Sequence, residues 1–172
     1  MSTDNLPEVW LRGPMDELPA LVQPVAFALL QAREEIETLM DDFPDELLWE
    51  KVAGMASPGF HLQHMAGVLD RMFTYANQKQ LSQGQLEYLA GEGKPEEGIT
   101  AAQLVNTFSL AVELSLRQLG RIDESMLTEY RGVGRKNLPS TLMGLLTHAA
   151  EHTMRHTGQL LVTVKVLKAG KL

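Results

Sequence analysis

Residues 139–168 keep a helical repeat of apolar side chains without a break. At 100° per residue, with His152 as origin, Leu142, Leu145, Ala149, Leu160, Thr163 and Leu167 fall roughly between 20° and 80°. A long helix with one apolar stripe has to bury that stripe against other helices. Pro139-Ser140 reads as its start, Lys165 and Lys168 sit near its negative end, and Gly170 reads as its stop. The run LLVTVKVL has strand propensity, but it continues the helical repeat, and the repeat is the stronger guide.

Three further long helices are expected upstream. One covers about 20–43, with Pro24 in its first turn, where a missing N–H costs nothing, and Pro44 after its end. A second starts at Ser57-Pro58, a hydroxyl N-cap followed by proline at the first helical position, and runs to about 79. A third begins at Thr100, whose partner Gln103 completes a capping box, and runs to about 121. SQGQLEYLA within 80–98 reads as a short extra helix between helices 2 and 3, DELLWEKV as a connection with one helical turn, and 122–138 as a loop. Residues 1–18, with Pro7, Gly13 and Pro14 and with Pro19 just after, read as an irregular leader. Four apolar stripes predict an all-α chain, a four-helix bundle forming one domain over 1–172.

The net charge of −7 argues against nucleic acid, which requires clustered Lys and Arg, and against an anionic membrane surface. The longest apolar runs fall well short of the roughly 20 residues that a spanning helix needs. The N-terminus lacks an apolar signal region, so a cytoplasmic protein is expected. There is no cysteine, so a metal must be held by nitrogen and oxygen.

All 5 histidines gather in two places, His61 and His64 on the second helix and His148, His152 and His156 on the last. His156, at about 40°, lies near the centre of the apolar stripe, His152 at its edge, and His148, at about −40°, outside it. His152 and His156, at i and i+4, can therefore ligate one metal ion from the same helix face. A third ligand has to come from the second helix, where both His61 and His64 touch the stripe of Met65, Val68, Leu69, Met72 and Ala76. Periodicity does not choose between them. A lone inward histidine is usually a hydrogen-bonded core residue. A cluster without a ligand would instead carry unpaired polar groups, at about 1–3 kcal/mol each.

The segments SPGFHLQHMA (57–66) and His148-x-x-x-His-x-x-x-His-x-Gly-Gln159, together with the helix order, resemble the DinB-like superfamily of four-helix metalloproteins. The resemblance places a metal triad on His64, His152 and His156, with His61 an additional residue one turn earlier. It implies a zinc or nickel cofactor, a homodimer, and a small-molecule substrate. Characterised relatives use low-molecular-weight thiols in S-transfer and isomerisation. The implied function is a metal-dependent thiol transferase or hydrolase with an open three-histidine site; the catalytic residues are unknown. The alternatives are a metal-stabilised dimer or small-ligand binder without turnover, and a bundle whose histidines hold no metal.

Around the histidines, Asp70, Arg71, Arg135 and Lys136 read first as solvated charges, and Tyr75 as core with an edge hydroxyl. Gln159 reads equally as a contact to a ligand or as helix packing, Gly158 as a point of close helix approach, and Trp10 and Trp49 as covers over the bundle ends. His148-Ala-Ala-Glu-His152 also fits an inverted zinc-peptidase pattern, with Glu151 as base. That chemistry needs a downstream acidic ligand, and no Asp or Glu follows Glu151. A di-iron site needs Glu-x-x-His pairs, which are absent.

Overall fold

A computed structural model describes residues 6–170. Five helices and one hairpin follow in the order α1 (Gln23–Leu39), α2 (Pro58–Ala76), α3 (Gln83–Gly91), α4 (Ala101–Leu119), β1 (Tyr130–Val133), β2 (Leu138–Thr141) and α5 (Leu142–Ala169). The chain is mostly helical. Residues 1–5 of the expected leader lie outside the described residues, and the rest of it includes one tight turn at Val9–Leu11.

The capping chemistry explains where the helices begin. Ser57 accepts a hydrogen bond from the Phe60 amide, and Pro58 occupies the first turn of α2. Thr100 and Gln103 close the expected capping box on α4, and Ser82 with Gln85 closes a second one on α3. These caps fix the phase of α2 and so decide which way His61 and His64 point.

α2 packs against both α4 and α5, and α1 packs against the same two helices, so the four long helices enclose one core. Leu29, Ile36, Leu62, Met65, Leu69, Phe108 and Leu160 are fully buried in it. Trp49 does cover an end: its ring lies on Gly59, where an added Cβ would meet the ring at 2.5 Å. Trp10, by contrast, is 59% exposed and donates its indole N–H to Glu8. No helix among the described residues is long and apolar enough to cross a membrane.

The expected loop and the expected start of the last helix also differ from the structure. The loop over 122–138 contains an antiparallel hairpin, and Pro139-Ser140 belongs to β2 instead of opening the last helix. Tyr130 pairs with Thr141 and Val133 with Leu138. Thr141 is the true cap of α5, accepting from the Gly144 amide. The connecting residues 134–137 turn through two left-handed positions, Gly134 and Asn137 (φ 68° and 47°). Buried Arg131 ties β1 to the core by donating from Nε to the free carbonyl of Ala76 at the end of α2.

Candidate metal centre

The histidines of α2 and α5 meet between these two helices. His64 Nε2 lies 2.9 Å from His152 Nε2. The ring centroids of His64 and His156 are 4.7 Å apart, and those of His152 and His156 are 4.6 Å apart. One ring nitrogen from each of His64, His152 and His156 can be chosen so that all three lie within 4.8 Å of one another. His61 is buried beside this group. Its Nδ1 lies 2.9 Å from His156 Nδ1, so it touches one member of the cluster from the side. His148 lies outside, half-exposed, with Nδ1 on Glu151 at 2.8 Å. Although His148, Glu151 and His152 also lie close together, Glu151 is already engaged by His148 and by Arg155.

Three further residues complete the surroundings of His64. His64 Nδ1–H donates to Glu92 Oε2 at 2.6 Å, and the other carboxylate oxygen accepts from Arg71 Nη1 at 2.6 Å. Both charged side chains are buried, 4% and 8% exposed, so each depends on the other for compensation. The tautomer that places the only N–H of His64 on Nδ1, toward the carboxylate, leaves Nε2 bare toward the cluster. Phe60 stacks on the same ring, centroid to centroid 5.0 Å with 12° between planes, and holds it from one side.

Glu92 is delivered by the turn that ends α3. That turn is pinned to α2 by the Gly93 amide donating to Gln63 Oε1 and by the Tyr88 hydroxyl donating to the Gln63 carbonyl. Close approach is possible because position 67 lacks a Cβ, which would collide with Glu92 Oε1 and Arg71 Nη1. Gly93 (φ 79°) gives the backbone a left-handed turn against Phe60. Burial, followed by the nearby Glu92 charge, pushes the Tyr88 hydroxyl up to about 12, so it stays protonated as a donor.

Burial disfavours charge on three of the clustered rings, His61, His152 and His156. Burial, then the neighbouring His64, pushes His61 down to about 4. Burial, then His64, His152 and His61, pushes His156 down to about 3. His152 is lowered for the same leading reason, with His64 and His148 next. Neutral rings are the ligating form. Nδ1 of His152 is buried without a hydrogen-bond partner. An orphaned imidazole nitrogen inside a group of such rings suits a cation better than it suits a closed core.

Other sequence candidates divide clearly. Arg71, expected on the surface, is buried on Glu92, while Asp70 is exposed and accepts from Gln85. Tyr75 is buried in the core, as expected. Arg135 and Lys136 sit in the turn of the hairpin, away from the histidines. Gly158 does not mark a close helix approach: a Cβ there would meet nothing within 4 Å. Gly158 and Gln159 instead line a cavity of about 550 Å³ that reaches His61 and His156. Glu92 was missed altogether. Its sequence signal is an acid between two glycines, Gly91 and Gly93, in a turn with no periodic pattern to place it.

The comparisons agree with this architecture. A family model described as the DinB superfamily matches residues 28–160. Among solved structures, a conserved protein from Enterococcus faecalis superposes with a TM-score of 0.67 at 20% identity, covering 87% of this chain and 98% of that one. A DinB-like protein from Bacillus cereus superposes with a TM-score of 0.61 at 16% identity, covering 86% and 92%. A protein from Streptococcus pneumoniae reaches 0.62 at 11% identity, covering 92% and 93%. At these identities the structural likeness speaks for the fold alone. No curated protein matches the chain. The family match spans most of the sequence, and the chain belongs to the DinB superfamily.

Proposed function

We propose that this protein binds one divalent metal ion, zinc or nickel, through His64, His152 and His156, and uses it on a small-molecule substrate. The four long helices form the bundle that carries the site, in a single-domain subunit of a homodimer. The observation that carries the reading is the meeting of three imidazoles from two helices, with ligating atoms within 4.8 Å of one another. The orphaned Nδ1 of His152 supports it. Three protein ligands leave a coordination position for an exogenous molecule. A metal so held lowers the pKa of a thiol or of water, which suits S-transfer from a low-molecular-weight thiol or hydrolysis. The cavity beginning at His156 favours turnover over a sealed structural site.

In this reading the chain's own residues have separate tasks. Glu92, held by Arg71, keeps the proton of His64 on Nδ1 and so directs Nε2 inward. His61 holds His156 through the Nδ1 contact. The arrangement in which His156 donates leaves its Nε2 free to ligate.

Metal analysis of untagged protein after supplementation is expected to give close to one equivalent of zinc or nickel per chain. A value near zero would falsify the reading. Glu92→Gln is expected to weaken metal affinity by roughly 10- to 100-fold, as is usual for carboxylates behind a ligating histidine. Competition against a chromogenic chelator measures this, and an unchanged affinity removes Glu92 from its positioning role.

A further inference from the structure

We propose that the cavity between the 52–56 turn and the second half of α5 receives the apolar body of a neutral or anionic substrate, with its polar head presented to His156. This rests on the metal-centre reading above and adds the class of substrate to it. The cavity, about 550 Å³, falls within the range of small-molecule sites and reaches His156 at one end.

Three features of the chain shape it. The first is the ridge Gly158–Val162–Val166, spaced by four along α5. Val162 and Val166 are 60% and 46% exposed, and Met55, 64% exposed, lines the same cavity. Away from the cavity α5 turns mainly charge to solvent, at Glu151, Lys165 and Lys168, with Leu161 as its other exposed large apolar side chain. The second feature is Gly158 itself. A glycine inside a helix costs about 1 kcal/mol relative to alanine, and no neighbour here requires it, because a Cβ would point into open space. What its missing side chain provides is room next to His156.

The third feature is the opposite wall. Ala53 is held in the left-handed region (φ 49°, ψ 33°) directly before Gly54 (φ 74°), in a turn that lines the cavity. Strain of this kind costs about 1–2 kcal/mol in a residue with a Cβ and persists where the surrounding structure imposes it.

Charge sets the class of head group. No Asp or Glu lines the cavity, and the one charged side chain that does is Arg155, whose Nη2 is paired with Glu151 outside the lining. A carboxylate or thiol is therefore accepted there, and an ammonium is disfavoured. An apolar-bodied thiol meets both requirements and matches the thiol chemistry proposed for the centre.

The test uses octanoate and octylammonium as probes, titrated calorimetrically into zinc-loaded wild type and Gly158→Leu. Octanoate is expected to bind wild type and octylammonium to bind at least tenfold more weakly. Gly158→Leu is expected to keep its zinc and its thermal stability and to lose octanoate affinity by tenfold or more. Equal binding of the two probes, or unchanged octanoate binding in Gly158→Leu, overturns the proposal. So does a change of oligomeric state in Gly158→Leu with octanoate binding intact, which would assign this face to a second copy of the chain. Failure of the metal reading appears separately, as absence of zinc from wild type. The same comparison then runs on zinc-free protein, where contact with the apolar walls predicts the same order of the two variants.

Discussion

His156→Ala is expected to leave a folded protein that retains no stoichiometric zinc or nickel, whereas His148→Ala retains a full equivalent. The two residues lie on one helix, two turns apart, and differ in placement. His156 lies within 4.7 Å of the ring centroids of His64 and His152. His148 is half-exposed and tied to Glu151. Loss of one ligand of three removes roughly 3 kcal/mol or more of binding, at least a hundredfold in affinity. Loss of His148 removes an exposed contact with Glu151 worth at most about 1 kcal/mol, and no ligand. Metal content by mass spectrometry, with circular dichroism to confirm folding, decides the matter. Equal metal content in the two variants sinks the assignment. Should His156→Ala fail to fold, His64→Ala makes the same test from α2.

The second large effect concerns acid. In the metal-free protein, His61 and His156 have folded-state pKa values of about 4 and about 3, below the value near 6.5 in an unfolded chain. Between these limits the unfolded state binds more protons than the folded one, so stability rises with pH. The contribution is fully present above about pH 6.5 and is lost as pH falls toward the folded-state values. His61 alone accounts for a decrease on the order of 3 kcal/mol across its window. Urea unfolding of metal-free protein at pH 7 and pH 4.5 is expected to show a marked fall in midpoint. Most of that fall should disappear in a His61→Asn/His156→Asn double variant. A flat profile in the wild type would mean that these rings do not sit neutral in the fold. With metal present the fall begins at higher stability, and acidification also releases the ion, because protons compete for the same nitrogens.

The legibility of this site in the sequence followed the physics of regular helices. His152 and His156 could be placed because α5 repeats without interruption and its stripe defines an inward direction. Position 61 versus 64 could not be chosen by angle, since both rings lie at the edge of one stripe. The structure uses both, one in the three-nitrogen group and one against His156. Arg71 looked like a surface charge because periodicity carries no information about a partner 21 residues away. Glu92 was invisible for the same reason: it sits on a turn, and its position is set by contacts of Gly93 and Tyr88 with Gln63. The hairpin was missed because YRGV and LPST lack apolar alternation and the second contains proline. One of its anchors is the bond from Arg131 of β1 to the end of α2, a tertiary contact that no local pattern announces.

α3 has no buried residue, and the turn after it is held to α2 mainly by a handful of polar contacts. Segments that bury few apolar side chains open at a lower free energy than the whole fold. Each opening takes Glu92 away from His64 and leaves that ring free to rotate and to change tautomer. Under the proposed metal reading, an ion that prefers the oriented ring draws residues 83–93 shut by reciprocity. Binding of such an ion and closure of this segment would then share one equilibrium.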